Sequence, residues 1–156
     1  MDDKLRKQLA HVLSWGEAHQ TFEAAVADFP VKLRGVRPQG LPYSAWELLE
    51  HMRIAQWDML EFSRNPKHVS PDFPSGYWPA SPEPPNAEAW DESVRQFQAD
   101  REALAKLALD PKQDLVTPFA HGDGQTLLRE VLLTADHNSH HLGQLILVRR
   151  LLGAWK

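Results

Sequence analysis

Hydrophobic residues recur at helical spacing in four stretches of the chain, and no stretch shows the strict alternation typical of a strand. The first stretch predicts a helix over residues 4–28, which Pro30 ends because proline cannot continue the backbone hydrogen bonding of a helix. The third stretch predicts a helix over residues 86–108, and the fourth predicts one over residues 126–152. The pattern therefore indicates an all-α protein.

The second stretch has the clearest helix start in the sequence. In "YSAWEL", the side chain of Ser44 can accept from the amide of Glu47, and the Glu47 carboxylate can reach back to the amide of Ser44. Tyr43 and Leu48 occupy the two positions of a hydrophobic staple. This capping box predicts a helix that begins after Ser44 and runs to about Arg64.

A long proline-rich segment, residues 65–86, separates the second and third predicted helices and holds seven of the twelve prolines. Long loops without regular structure are uncommon, and its three aromatic residues favour an ordered, packed segment. Two interpretations stay open: a stiff crossover that covers the core, which we favour, and a lid over a substrate. Four helices with long loop connections predict a four-helix bundle, formed by residues 1–156 as a single domain.

Composition narrows the classes of partner. A net charge of −4 over 156 residues gives no reason to expect nucleic acid or an anionic membrane as a partner. The absence of cysteine excludes disulfides, a cysteine nucleophile and thiolate metal ligands. No signal-peptide pattern opens "MDDKLRKQLAHVL", and no apolar run approaches the ~20 residues that span a bilayer. We therefore expect a cytoplasmic protein.

Three of the eight histidines fall within five residues of the fourth predicted helix, at positions 137, 140 and 141. His137 and His141 lie one helical turn apart on one face, a spacing at which two imidazoles can bind one metal ion. His51 lies on the apolar face of the second helix and is a candidate third ligand, because bundle cores often hold metal sites between facing helices. His140, three residues from His137, competes with His141 at a modest disadvantage.

A single buried histidine is more often a hydrogen-bonded core residue than a ligand, but three on two facing helices favour a metal site. The four other histidines are interpreted as ordinary surface residues of the first helix and the loops; they are His11, His19, His68 and His121.

Weaker candidates accompany the histidines on the same helices. Glu130 could assist a ligand or act as a general base, but a surface carboxylate favoured by the helix dipole is the better interpretation. A role for Asp58 near the site is likewise the less favoured alternative. Gln144 could orient a ligand, Gly143 could mark a close approach by another element, and Trp78 is expected to pack in the core more than to cover a substrate.

Two segments resemble the DinB/YfiT-like family. "HNSHHLGQL" resembles its His-Asn-x-x-His-x-Gly-Gln signature, and "SAWELLEHM" resembles its second-helix segment, which ends in a histidine. The matching positions are Ser44, Trp46, Leu48, Leu49 and His51 early, and His137, Asn138, His141, Gly143 and Gln144 late. One departure is His140, where many relatives carry an aromatic residue such as tyrosine.

The resemblance implies a DinB-type four-helix bundle that binds one divalent metal through His51, His137 and His141, and it implies a homodimer. The family includes thiol-dependent transferases and isomerases that use low-molecular-weight thiols, beside many members of unknown activity. Imidazole suits zinc, nickel, iron and copper, so the residues do not select the metal, and zinc and nickel are the leading candidates.

Three neutral imidazoles leave coordination positions open, where a metal can act as a Lewis acid or lower the pKa of a bound water or thiol. Without a cysteine in the chain, any thiol must arrive as a small-molecule substrate. We therefore expect a metal-dependent enzyme, either a transferase that uses a low-molecular-weight thiol or a hydrolase. The alternatives are a non-catalytic metal or small-molecule binding protein and a structural module with polar core histidines.

Overall fold

The computed structural model describes residues 2–14 and 16–155, which form α-helices and short 3-10 turns and contain no strand. The helices are α1 (Asp2–Val12), α2 (Phe22–Val26), α3 (Ala45–Arg64), α4 (Ala89–Leu109) and α5 (Leu127–Leu151). The all-α class is confirmed, and the four longest helices form the predicted bundle. None of the helices in these residues combines the length and the apolar character that crossing a bilayer requires.

The capping box at the start of α3 is confirmed. The Ser44 side chain accepts from the amide of Glu47 at 3.1 Å, and the Glu47 carboxylate accepts from the amide of Ser44 at 2.8 Å. Glu47 also accepts from Arg37 Nε at 2.8 Å. These bonds satisfy amides that would otherwise lack partners at the helix start, and they fix the position of the residues that follow.

The prediction of one helix over residues 4–28 is wrong. Residues 13–14 and 16–21 are not helical, and residue 15 lies outside the described part of the chain. A side chain at Gly16 would meet Cγ2 of Thr21 at 2.6 Å, so the Thr21 side chain packs closely against Gly16 at this bend. Thr21 starts the separate helix α2, because its hydroxyl accepts from the amide of Ala24 at 3.2 Å. His19 therefore lies in a connection, not in a helix.

The third and fourth predicted helices are confirmed with small changes at their ends. Helix α4 begins at Ala89 and not at residue 86, and the Ala89 amide donates to the Asn86 side chain at 2.8 Å. In α5, the hydroxyl of Thr126 accepts from the amide of Arg129 at 3.1 Å. The predicted range of residues 126–152 thus includes one flanking residue at each end of α5.

The direction of each helix follows from the contacts along it. Helices α3 and α5 run antiparallel, since Asn138 contacts Gln56 while Thr134, earlier in α5, contacts Met59, later in α3. Helices α3 and α4 run parallel, since Gln56 also bonds to the carbonyl of Phe97 and the earlier pair Glu50 and Ser93 is in contact. Residues 65–86 therefore return along the bundle, as the crossover interpretation predicts.

Candidate metal centre

Antiparallel packing of α3 against α5 brings three predicted ligands to one point. His51 Nε2 lies 3.1 Å from His137 Nε2 and 3.1 Å from His141 Nε2, and a potential ligand atom of each ring lies within 4.8 Å of the others. His140 lies on the exposed side of α5, where its Nε2 is 3.2 Å from Nε2 of Gln144. Of the two candidates that the spacing left open, the structure brings His141 to the group and not His140.

The outer nitrogens of two rings are held by oxygen acceptors. His51 Nδ1 donates to the carbonyl of Tyr77 at 2.9 Å, and His141 Nδ1 donates to Oε1 of Gln144 at 2.7 Å. Because the Tyr77 carbonyl and the Oε1 atom that Gln144 turns toward His141 can only accept, each Nδ1 carries the proton of a neutral ring and each Nε2 presents a lone pair. Two lone pairs then face each other across 3.1 Å, an arrangement that a cation between them stabilises.

Electrostatics keep the three rings neutral. Burial, as the largest cause, and the neighbouring imidazoles together lower the pKa of His137 and His141 to about 4. Burial also lowers the pKa of His51, against a smaller opposing effect of the Tyr77 carbonyl. Neutral imidazole is the form that binds metal, so at pH 7 the group needs no deprotonation before it can act as a ligand set.

Asp58 fastens the proline-rich segment to α3, close to His51. Its carboxylate accepts from the Tyr77 hydroxyl at 2.7 Å and from His68 Nε2 at 2.7 Å. The side chain of His68 is only 6% exposed, so its interpretation as a surface residue is wrong. Asp58, the less favoured candidate, contributes indirectly, because it anchors the residue whose carbonyl orients His51.

Aromatic rings cover one face of His51. Trp78 stacks on the His51 ring with centroids 3.9 Å apart and planes 1° apart, and Tyr43 stacks on Trp78 at 4.7 Å. Trp78 and Tyr43 also pack against the larger apolar cluster of the bundle. The predicted core packing of Trp78 is confirmed, and residues 65–86 are an ordered, packed segment whose role as a lid stays a prediction.

Three further candidates on α5 have different outcomes. Glu130 is only 3% exposed and burial raises its pKa, so its interpretation as a surface carboxylate is wrong; its partner is Arg129, at 2.5 Å. Gln144 contacts His141 as an orienting residue would. Gly143 has no close neighbour, since an added Cβ would meet no atom of the described residues within 4 Å. The predicted close approach at Gly143 is not found among the described residues.

The three remaining histidines, His11, His19 and His121, are exposed, as expected. Among them, His19 contacts α5 through Ser139 at 3.3 Å. None belongs to the histidine group on α3 and α5.

The sequence profile of the DinB superfamily matches residues 14–145. This match covers well over half of the 156 residues and includes all of α3 and the part of α5 that carries the histidines. No curated protein and no solved structure matches the chain. The extent of the profile match, together with the helical bundle, shows that the chain belongs to the DinB superfamily.

Proposed function

We propose that this protein is a divalent-metal-dependent enzyme in which His51, His137 and His141 hold one metal ion. The observation that carries the proposal is the convergence of the Nε2 atoms of these rings, with 3.1 Å between the closest pairs. The rings are neutral, two of them are held with the proton on the outer nitrogen, and all three are at least partly buried. Imidazoles in this state fit a metal such as zinc or nickel.

The ligand set determines what a bound metal can do. When bound, the ion supplies Lewis acidity, which polarises a substrate or lowers the pKa of a thiol or water toward neutrality. Three neutral ligands leave its double positive charge uncompensated, which favours an anionic substrate group such as a thiolate. The Tyr77 carbonyl and Gln144 orient two rings, and Trp78 keeps water from one face of His51.

For the reaction, we propose transfer that uses a low-molecular-weight thiol, with hydrolysis as the second possibility. The chain contains no cysteine, so the thiol enters as a substrate. A thiolate is a better nucleophile than a thiol, and an open metal site generates the thiolate at neutral pH. The family resemblance supports the transferase over the hydrolase.

One observation favours a non-catalytic binding protein as the alternative. The two buried carboxylates that the sequence pattern marks as candidates are both occupied. Asp58 accepts from Tyr77 and His68, and Glu130 pairs with Arg129. Neither therefore stands ready as a general base, as hydrolysis would require. A sensor or carrier of a metal or small molecule needs no such base.

The first test is the metal content of the purified, untagged protein. We expect one equivalent of a divalent ion in the wild type and none in a folded His51→Ala/His137→Ala/His141→Ala variant. A matched variant without the exposed imidazoles, His11→Ala/His19→Ala/His121→Ala, should retain the full equivalent. No bound metal in the wild type, even after reconstitution with zinc or nickel, would contradict the proposal and leave the histidines as a polar core cluster.

Turnover separates the enzyme from the binding protein. The metal-loaded protein is incubated with small thiols and electrophilic acceptors, and with esters and amides, while product and thermal stability are followed. Metal-dependent product formation supports the enzyme. Stabilisation by a thiol without any product supports the carrier or sensor.

We further propose a cytoplasmic homodimer with no nucleic-acid or membrane partner. The dimer is supported by the family resemblance and by exposed leucines on the outer side of α5, at Leu133, Leu147 and Leu151. Light scattering on a sizing column tests it, and a molar mass of about 18 kDa would contradict it, since one chain has a mass of 17.8 kDa.

A further inference from the structure

His137 differs from the other two rings of the group, because its outer nitrogen has no clear partner. Nδ1 of His137 is buried and makes no hydrogen bond with a described residue. The neighbouring residue, Asn138, has a buried Oδ1 that is also without a partner. Buried polar atoms are seldom left unpaired, so two of them on consecutive residues require an explanation.

The two side chains lie within reach of each other. Burial lowers the pKa of the His137 ring, whereas the Asn138 side chain raises it, as an acceptor close to the ring does. Asn138 itself is 9% exposed and belongs to the core between α3 and α5. The two unpaired atoms complement each other, since Nδ1 can carry a proton and Oδ1 can only accept one.

A buried chain of amides determines which end of Asn138 faces His137. The chain starts at the backbone carbonyl of Phe97 on α4, which can only accept, and to which Gln56 donates from Nε2 at 2.6 Å. Gln56 is fully buried, and its Oε1 must then face Asn138, whose Nδ2 donates to it at 2.9 Å. This fixes Oδ1 of Asn138 on the opposite side, away from Gln56.

The reverse orientation is excluded by the same anchor. If Gln56 were flipped, its Oε1 would face the carbonyl of Phe97 and two acceptors would meet at 2.6 Å. Amide orientation is often ambiguous, but here a backbone carbonyl fixes both amides in sequence.

We propose that Gln56 and Asn138 are positioning residues that hold the proton of His137 on Nδ1, so that its Nε2 faces His51 and His141 as a bare lone pair. This inference takes its purpose from the proposed function, since three lone pairs are what a metal ion requires. The competing tautomer has the proton on Nε2, which would donate to His51 Nε2 across 3.1 Å. That hydrogen bond would have to break before a metal could enter.

The tautomer is a property of the metal-free protein, so it can be measured without any metal. Nitrogen-15 chemical shifts of the histidine rings are recorded in metal-free protein at pH 7. We expect His137 in the Nδ1–H form in the wild type. In Asn138→Leu, which removes the acceptor, the proton should move to Nε2.

Metal affinity is the second measurement, with zinc titrated against a competing chelator. Gln56→Leu and Asn138→Leu should weaken binding 10- to 100-fold, the usual effect of removing a group that orients a ligand. Thr134→Val is the matched control, because Thr134 is fully buried on α5 one turn earlier and bonds to the Glu130 carbonyl, not to a ring of the group.

The outcomes distinguish this inference from the proposed function. If His137 is in the Nε2–H form in the wild type, the positioning role is overturned, whether or not the variants fold. Wild type that binds zinc and loses no affinity in Gln56→Leu and Asn138→Leu also overturns it. Wild type in the Nδ1–H form that binds no metal contradicts the proposed function and leaves the amide chain in place as a structural network.

Discussion

The hydroxyl of Tyr77 offers a sharp test of how the proline-rich segment is held. Tyr77→Phe removes one oxygen and leaves the ring and the backbone carbonyl that bonds to His51. The lost interaction is a hydrogen bond of 2.7 Å to the carboxylate of Asp58, which keeps its second bond to His68. Hydrogen bonds to charged groups contribute about 1.5–3 kcal/mol. Because Tyr77 is partly exposed, we expect the free energy of unfolding to fall by about 1–2 kcal/mol.

The same bond predicts a pH dependence. Burial and the adjacent Asp58 carboxylate raise the pKa of Tyr77 to about 12, from an ordinary value of 10.0. The folded chain thus keeps the phenol proton to higher pH than the unfolded chain does. Its contribution to stability is complete below about pH 10 and is lost as the pH rises toward 12. Two pKa units correspond to at most about 2.7 kcal/mol, and solvent screening reduces this to about 1–1.5 kcal/mol, in agreement with the mutational value.

Urea denaturation of wild type and Tyr77→Phe between pH 7 and 11.5 measures both effects. The difference in unfolding free energy should be constant up to about pH 9.5 and shrink above pH 10. Tyr43→Phe is the matched control, because the hydroxyl of Tyr43 has no hydrogen-bond partner among the described residues and its ring stacks on the same segment through Trp78. Equal stability of wild type and Tyr77→Phe at pH 7, or a difference that persists unchanged to pH 11.5, would refute the reasoning.

Three substitutions elsewhere have simpler expectations. Gly143→Ala should raise the free energy of unfolding by about 1 kcal/mol, because alanine favours the helix and its Cβ meets no described atom. A lower free energy of unfolding, or a shift to monomers in light scattering, would instead indicate that a partner chain packs at this position. Glu130→Gln should stabilise the fold at pH 7 by about 0.5–1 kcal/mol, because burial raises the pKa of this carboxyl and so disfavours its ionised form. This destabilisation begins above the ordinary pKa of 4.5, so thermal melts at pH 4 should show the gain disappear. Ser44→Ala should cost about 1 kcal/mol in urea denaturation through loss of the cap of α3, and Ser44→Thr should recover most of it.

Local signals in the sequence predict local structure well. The start of α3 follows from Ser44 and Glu47, three positions apart. Both hydrogen bonds that the capping-box pattern predicts between them are present. The break before α2 is missed, because apolar residues continue at roughly helical spacing from Leu13 to Phe22 across the bend. Gly16 and the cap at Thr21 were the available signals, and each is weak by itself.

Side-chain burial that depends on tertiary packing is missed for a physical reason. Whether His68 is buried depends on its contact with Asp58, which lies ten residues earlier. Asp58 is in α3, whereas His68 is in the loop that follows α3. Glu130 reads as a surface carboxylate because the first turn of a helix favours negative charge, but packing of α5 against α3 buries it. In both cases tertiary contacts, which no spacing rule contains, decide the environment of the side chain.

Which of His140 and His141 can bind the metal depends on a rotation of one residue around the axis of α5. Adjacent residues of α5 differ by about 100° around the axis, so only one of the two can face α3. Gln144 contacts both: its Oε1 accepts from His141 Nδ1 at 2.7 Å, and its Nε2 lies 3.2 Å from His140 Nε2 on the exposed side.

We therefore expect His140→Ala to keep one equivalent of metal with less than a threefold change in affinity, and His141→Ala to lose at least 100-fold in affinity. The measurement is zinc titration against a chelator. Loss of metal in a folded His140→Ala variant, with affinity retained in His141→Ala, would mean that α5 turns the opposite residue toward His51 when the metal is bound.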